Sequence, residues 1–181
     1  MRRAQAVSAS PPMSAATTKT PRESPADRLA REAYISLYLA SDRLTAEVEK
    51  VCRTEQISMS HYTVLWFLER SGHDEGVPMG AVIDGHINRA SDATRLADRL
   101  TALGMIERLA SPTDRRVVLV RLTTAGRAAC RRLTARIQEL HRRQWGSLSR
   151  SELEELRRLL VKAVGEEDSL VRLKALTTTG A

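Results

Sequence analysis

The 181-residue chain is 42% hydrophobic, enough for one buried core, but only 3% aromatic, so that core must be built from Leu, Val, Ile and Ala. Its net charge of +7 and isoelectric point of about 10.1 draw it toward polyanions, nucleic acid or an anionic membrane, with a basic surface that has no specific partner as the plain alternative. No apolar run is long enough to span a bilayer, and Cys52 and Cys130 are too far apart for a metal motif.

The first 26 residues are rich in Ser, Thr, Pro and Ala, start basic and lack the apolar stretch of a signal peptide, so they read as a disordered tail of a cytoplasmic protein with reduced thiols. After Pro25 a helical pattern begins. Leu37, Leu44, Val48 and Val51 share one face, widened by Tyr34, Tyr38 and Ala40. A second helix follows in ISMSHYTVLWFLERSG, capped by Ser58 or Ser60, with Val64, Leu65 and Leu68 as its core face. Met79 to Gly85 forms a short third element. Asp92 to Leu103 forms a fourth, with Ser91 as N-cap, a stripe of Ala93, Leu96, Ala97, Leu100 and Leu103, and Gly104 as its stop.

Two short helices joined by a tight turn make a helix-turn-helix candidate. The residues after them sharpen it. Met105 to Leu109 is a strand, Ser111-Pro112-Thr113-Asp114 is turn chemistry, and Val117 to Leu122 is a β-branched return strand. A hairpin directly after the second helix of such a pair is the wing of a winged helix. Two more helices follow. Thr123 caps the first, whose face is Ala129, Leu133, Ile137 and Leu140. The second opens on a capping box from Ser149 to Glu152 and carries Leu153, Leu156, Leu159, Leu160, Ala163 and Val164. These flanking stripes exceed what a small winged helix needs, which suits a dimer interface.

The major groove of B-DNA admits one α-helix, whose N-terminal side chains reach base edges. Here those are Arg89, Ser91, Asp92, Thr94 and Arg95, with Arg99 a turn further on. Asp92 also complements the helix dipole, and Asp98 is expected to pair with an arginine of the wing or its strand. Eight arginines against four acids between Arg89 and Arg127 leave that stretch at +4. Arg115 and Arg116, at the hairpin tip, suit the narrow, electronegative minor groove or its phosphates, and Asp114 is expected to hold one arginine in a fork-shaped pair.

The segment ATRLADRLTALGMIERLASPTDRRVVLVRLTTAG resembles the signature of the MarR-type (multiple antibiotic resistance regulator) winged-helix repressors. The matching residues are Thr94-Arg95, Asp98-Arg99-Leu100, Gly104-Met105-Ile106 with Arg108, Asp114 with Arg116, and Leu122-Thr123 with Gly126, and the likeness runs from about Arg28 to Val164. It implies a mainly α fold with a small β-hairpin wing, a winged helix-turn-helix flanked by N- and C-terminal dimerisation helices. It divides the chain into tails at 1–26 and 166–181 and a domain at 27–165, whose DNA-binding lobe, 55–123, lies between dimerisation segments 27–54 and 124–165. The implied partners are a palindromic double-stranded operator, a second copy of the chain and a small aromatic or phenolic ligand. It assigns the groove contact to Arg116, and Tyr34, Tyr38, His61, Tyr62 and Trp66 are candidates for lining the ligand cleft. Plain core packing is the competing account of those aromatics.

His86 departs from the family pattern, which has an apolar residue there. Arg89 replaces a small capping residue, which shifts the cap to Ser91 and frees Arg89 for phosphate. Cys52 falls near the end of the first helix, a poor match to relatives that sense oxidants near its start. No Gly-rich phosphate loop or His-Glu-x-x-His motif is present, so no cofactor, metal or catalytic residue is expected. The competing readings are a winged-helix module for protein contacts or unselective nucleic-acid binding, and an enzyme whose site the sequence does not display.

Overall fold

The computed structural model describes residues 23–71, 74–85 and 93–165. Among them are six α-helices and three strands: α1 (Pro25–Cys52), α2 (Met59–Ser71), β1 (Val77–Pro78), α3 (Met79–Gly85), α4 (Ala93–Ala102), β2 (Ile106–Ala110), β3 (Val118–Leu122), α5 (Thr124–Gln144) and α6 (Arg150–Val164). The chain divides into two compact units, Met1–Leu39 and Ala40–Ala181.

The first unit holds the N-terminal part of α1. Its start is set by Ser24-Pro-Ala-Asp27: the Ser24 hydroxyl accepts the Asp27 N–H at 3.1 Å, and the Asp27 carboxylate accepts the Ser24 N–H at 3.3 Å. This is a capping box with Pro25 at the first helical position, where a missing N–H costs nothing. The helix therefore begins two residues before the expected domain boundary at 27. Leu29, Tyr34, Ile35, Leu37, Tyr38 and Leu39 are all exposed.

In the second unit α2, α4, α5 and the sheet enclose a core of Val64, Leu65, Leu68, Ala97, Leu100, Ile106, Val120, Leu133 and Ile137. Val48 and Cys52, from the end of α1, and Cys130 complete it. The face foreseen for α5 is buried throughout, at Ala129, Leu133, Ile137 and Leu140. α6 buries none of its residues fully, and Leu159 and Val164 are exposed.

The sheet has the order β1-β3-β2, antiparallel throughout. Ile106 faces Leu122 at the root of the hairpin and Ala110 faces Val118 near its tip. Both hairpin strands start one residue later than the pattern suggests, because Met105 closes the end of α4 and Val117 closes the turn. β1 was not anticipated. It is two residues long and exists through pairing with β3, where Val77 faces Val120. A 3₁₀ turn at Arg53–Glu55, also unanticipated, ends on Gln56 at φ 60°.

Candidate nucleic-acid interface

α4 is fixed at its C-terminal end by backbone geometry. Gly104, at φ +66°, donates to the Thr101 carbonyl at 2.9 Å, and Met105 donates to Leu100 at 2.9 Å. That is a Schellman motif, and Gly104 supplies its left-handed residue. Thr123 joins this end to α5. Its hydroxyl donates to the Gly104 carbonyl at 2.6 Å and accepts the Gly126 N–H at 3.0 Å, while its own N–H donates to Met105. The Leu-Thr-x-x-Gly pattern thus has a physical reason: Thr caps α5 and ties it to α4, and Gly leaves room for the Met105 carbonyl.

The wing tip is held by short polar bonds. The Ser111 hydroxyl accepts the N–H groups of Thr113 and Asp114, both at 3.3 Å, and the Asp114 carboxylate accepts the backbone N–H of Arg116 at 2.9 Å. The expected fork between Asp114 and an arginine side chain is not formed among the described residues. The tight turn brings a backbone N–H within reach of the carboxylate first. Asp114 still orients the tip, and the Arg115 and Arg116 side chains are exposed.

Six of the eight arginines of the basic stretch sort into two sets. Arg108 pairs with Asp98 at 2.8 Å, as expected for that acid, and Arg121 pairs across the hairpin with Glu107 at 2.8 Å. Arg127 bridges Glu69 at 2.9 Å and Asp74 at 3.2 Å. Arg99, Arg115 and Arg116 have no ion-pair partner among the described residues, and all three are exposed. Thr94 and Arg95 are exposed on the first turn of α4. Arg89, Ser91, Asp92 and His86 lie outside the described residues.

Between the start of α3, the start of α4 and the wing lies an open cavity of about 520 Å³, lined by Pro78, Met79, Gly80, Thr94, Arg108, Arg116, Val117 and Val118. It brings together Thr94 and Arg116, two of the foreseen site residues. Arg108, in the sequence only a landmark of the family pattern, also lines it. Its signal was Asp98, an acid on the adjacent helix in need of a cation.

The proposed ligand-cleft residues are distributed differently. Tyr34 and Tyr38 belong to the first unit, His61, Tyr62 and Trp66 to α2 in the second. His61 Nδ1 accepts from the Ser58 N–H at 3.3 Å and pairs with the Ser58 hydroxyl at 2.6 Å, serving as the reciprocal partner of the α2 N-cap. The Tyr62 hydroxyl pairs with Thr134 at 3.1 Å, and Trp66 lies under the Arg70 guanidinium at 4.8 Å.

Cys52 and Cys130 are both buried and unpaired. Burial pushes the Cys52 thiol up to about 12, with a contribution from the charge of Glu49, and burial likewise pushes Cys130 up to about 11. Thiols held protonated in this way are poor nucleophiles at neutral pH, which weighs against oxidant sensing. No helix among the described residues is long and apolar enough to cross a membrane.

No protein-family model matches the chain. A crystal structure of a MarR transcription factor from Planctomyces limnophilus is 38% identical, covers 72% of this chain and 93% of its own, and superposes with a TM-score of 0.57. The chain belongs to the MarR family. The multiple antibiotic resistance protein MarR of Escherichia coli is 42% identical over 72 residues, 39% of this chain, and the match spans about half (50%) of that relative's length. The crystal structure of a mutant MarR from E. coli complexed with operator DNA superposes with a TM-score of 0.65 over 78% of this chain and 99% of that one, a likeness of fold at 23% identity. The transcriptional repressor IacR of Pseudomonas putida is 25% identical over 136 residues, 74% of this chain and 80% of its own.

Proposed function

We propose that this MarR-family chain is a sequence-specific DNA-binding transcriptional regulator, acting in the cytoplasm as a homodimeric, ligand-responsive repressor on a palindromic operator. The observation that carries it is the sorting of the arginines. Those that hold the fold together are paired with acids, whereas Arg99, Arg115 and Arg116 are exposed on α4 and the wing without ion-pair partners among the described residues. Unpaired cations on a helix and an adjacent hairpin suit a phosphate-lined groove.

In this reading the first turn of α4 enters the major groove. Arg89, Ser91, Asp92, Thr94, Arg95 and Arg99 face bases or phosphates there, while Arg115 and Arg116 reach the minor groove. Residues 55–123 form the DNA-binding lobe, flanked by dimerisation segments at 27–54 and 124–165. Exposed apolar residues in α1 and α6, among them Leu37, Leu159 and Val164, motivate the dimer. The E. coli relative crystallised with operator DNA and the repressor IacR support the same assignment. A small aromatic or phenolic acid is the proposed release signal.

The test is fluorescence anisotropy with a duplex taken from upstream of the protein's own gene, against a scrambled duplex of equal length. Tighter binding to the upstream duplex, weakening steeply with salt, is expected. Equal binding to both would favour an unselective nucleic-acid module, and no binding to either would favour a protein-contact module.

A further inference from the structure

Arg108 stands on β2, the strand that leads into the wing, and its guanidinium reaches back to α4. Nη2 pairs with Asp98 Oδ1 at 2.8 Å and donates at longer range, 3.5 Å, to the Thr94 carbonyl. Thr94 and Asp98 are four residues apart, so they lie one turn apart on one face of α4. One cation on the wing strand therefore spans a full turn of the helix. The other end of α4 is already fixed against α5 through Gly104 and Thr123. α4 also packs into the core through Ala97 and Leu100, and Arg108 adds a polar tie between its exposed side and the wing strand.

We infer that Asp98 and Arg108 are positioning residues for sequence choice, their pair setting the angle between α4 and the wing. This rests on the reading that both elements bind DNA together. The side chains are 35% exposed at Arg108 and 57% at Asp98, and an ion pair so exposed contributes little to stability. Its position across two DNA-facing elements gives it a geometric consequence instead. Asp98 also brings negative charge toward phosphates, which opposes unselective affinity. Removing that charge leaves unselective binding unchanged or stronger, while a loosened α4 reads its base pairs less well. Only the selective affinity falls, a separation that a merely structural role does not produce.

The experiment uses full-length protein as wild type, D98N, R108Q and the double variant. The probes are the duplex that wild type enriches from a random double-stranded library and an unrelated duplex of the same length and composition. For D98N the ratio of the two affinities is expected to fall about tenfold, comparable to one mismatched base pair, while affinity for the unrelated duplex holds or rises. R108Q is expected to lower the ratio similarly, and the double variant no further than either single change, because one shared interaction is lost. Melting temperatures close to wild type separate this from unfolding, and D98N decides the matter by itself if R108Q folds poorly. An unchanged ratio in D98N, a parallel loss on both duplexes, or additive losses would overturn the positioning role while leaving DNA recognition intact. A wild type that enriches no sequence overturns the DNA reading, and this inference with it.

Discussion

Gly126, in the first turn of α5, lies against the backbone of Met105, so closely that a Cβ there would stand 1.8 Å from the Met105 carbonyl oxygen. The contact joins the turn that ends α4, the helix that carries proposed base contacts, to the long helix of the second unit. Gly126→Ala is expected to destabilise the protein by about 3 kcal/mol or more, because the obstacle is backbone and cannot rotate away. Gly80→Ala is the control: nothing lies within 4 Å of the position its new methyl group would take, and replacing Gly in a helix is neutral or favourable by about 0.5–1 kcal/mol. Chemical denaturation of both variants checks this, and equal stabilities would contradict it.

Arg116→Ala is expected to weaken binding to every DNA sequence and to lower the slope of log affinity against log salt by about one unit, since one phosphate-region cation is lost. A salt titration that superposes on wild type would remove Arg116 from the interface.

Arg95→Ala is expected to act differently, relaxing preference at particular base pairs at a cost of about 1–3 kcal/mol there. Affinities measured across a panel of single-base variants of the enriched duplex read this out. A uniform loss across the panel would make Arg95 a phosphate contact.

The cysteines supply a pH prediction. Unfolded thiols ionise near 9, whereas burial holds Cys52 at about 12 and Cys130 at about 11. Above pH 9 the unfolded chain therefore binds fewer protons than the folded one, and stability is expected to fall as pH rises from there toward 11. At neutral pH a thiol-specific reagent should label neither cysteine in the native protein and both after denaturation. Fast labelling of the native protein would contradict the burial account.

What could be read from the sequence follows from where each signal resides. The starts of α5 and α6 and the end of α4 are written in a few adjacent residues, Thr123 with Gly126, Ser149 with Glu152, and Gly104, and local capping chemistry decided them. The core faces of α4 and α5 repeat at helical spacing and were legible for that reason. β1 was not, because Val77 and Pro78 become a strand through pairing with Val120 and Leu119, more than forty positions away (Val77↔Val120, Pro78↔Leu119). The Glu55–Arg132 and Glu69–Arg127 pairs, 77 and 58 residues apart, are equally non-local. Asp98 could be matched to an arginine of the wing or its strand, but several arginines competed for the role, and the packing of α4 on β2 selected Arg108. The charge of Asp114 is visible in the sequence and points to a side-chain partner, whereas the backbone N–H it takes depends on the turn geometry.

Deleting everything from Ser149 onward removes α6, whose apolar side chains include Leu153, Leu156 and Leu160, while α4 and the wing remain. Dimerisation and operator binding are expected to be lost together, as read by light scattering and anisotropy on the same sample. A truncated protein that stays dimeric would move the interface elsewhere.

Selecting duplexes from a random library with the purified full-length protein, and sequencing what is retained, shows whether the chain binds DNA as a two-fold dimer. A two-fold dimer that inserts one α4 per half-site predicts a palindrome with half-site centres about one helical turn, roughly 34 Å, apart. Enrichment of an asymmetric site by a monomer, or retention of all sequences alike, would contradict it.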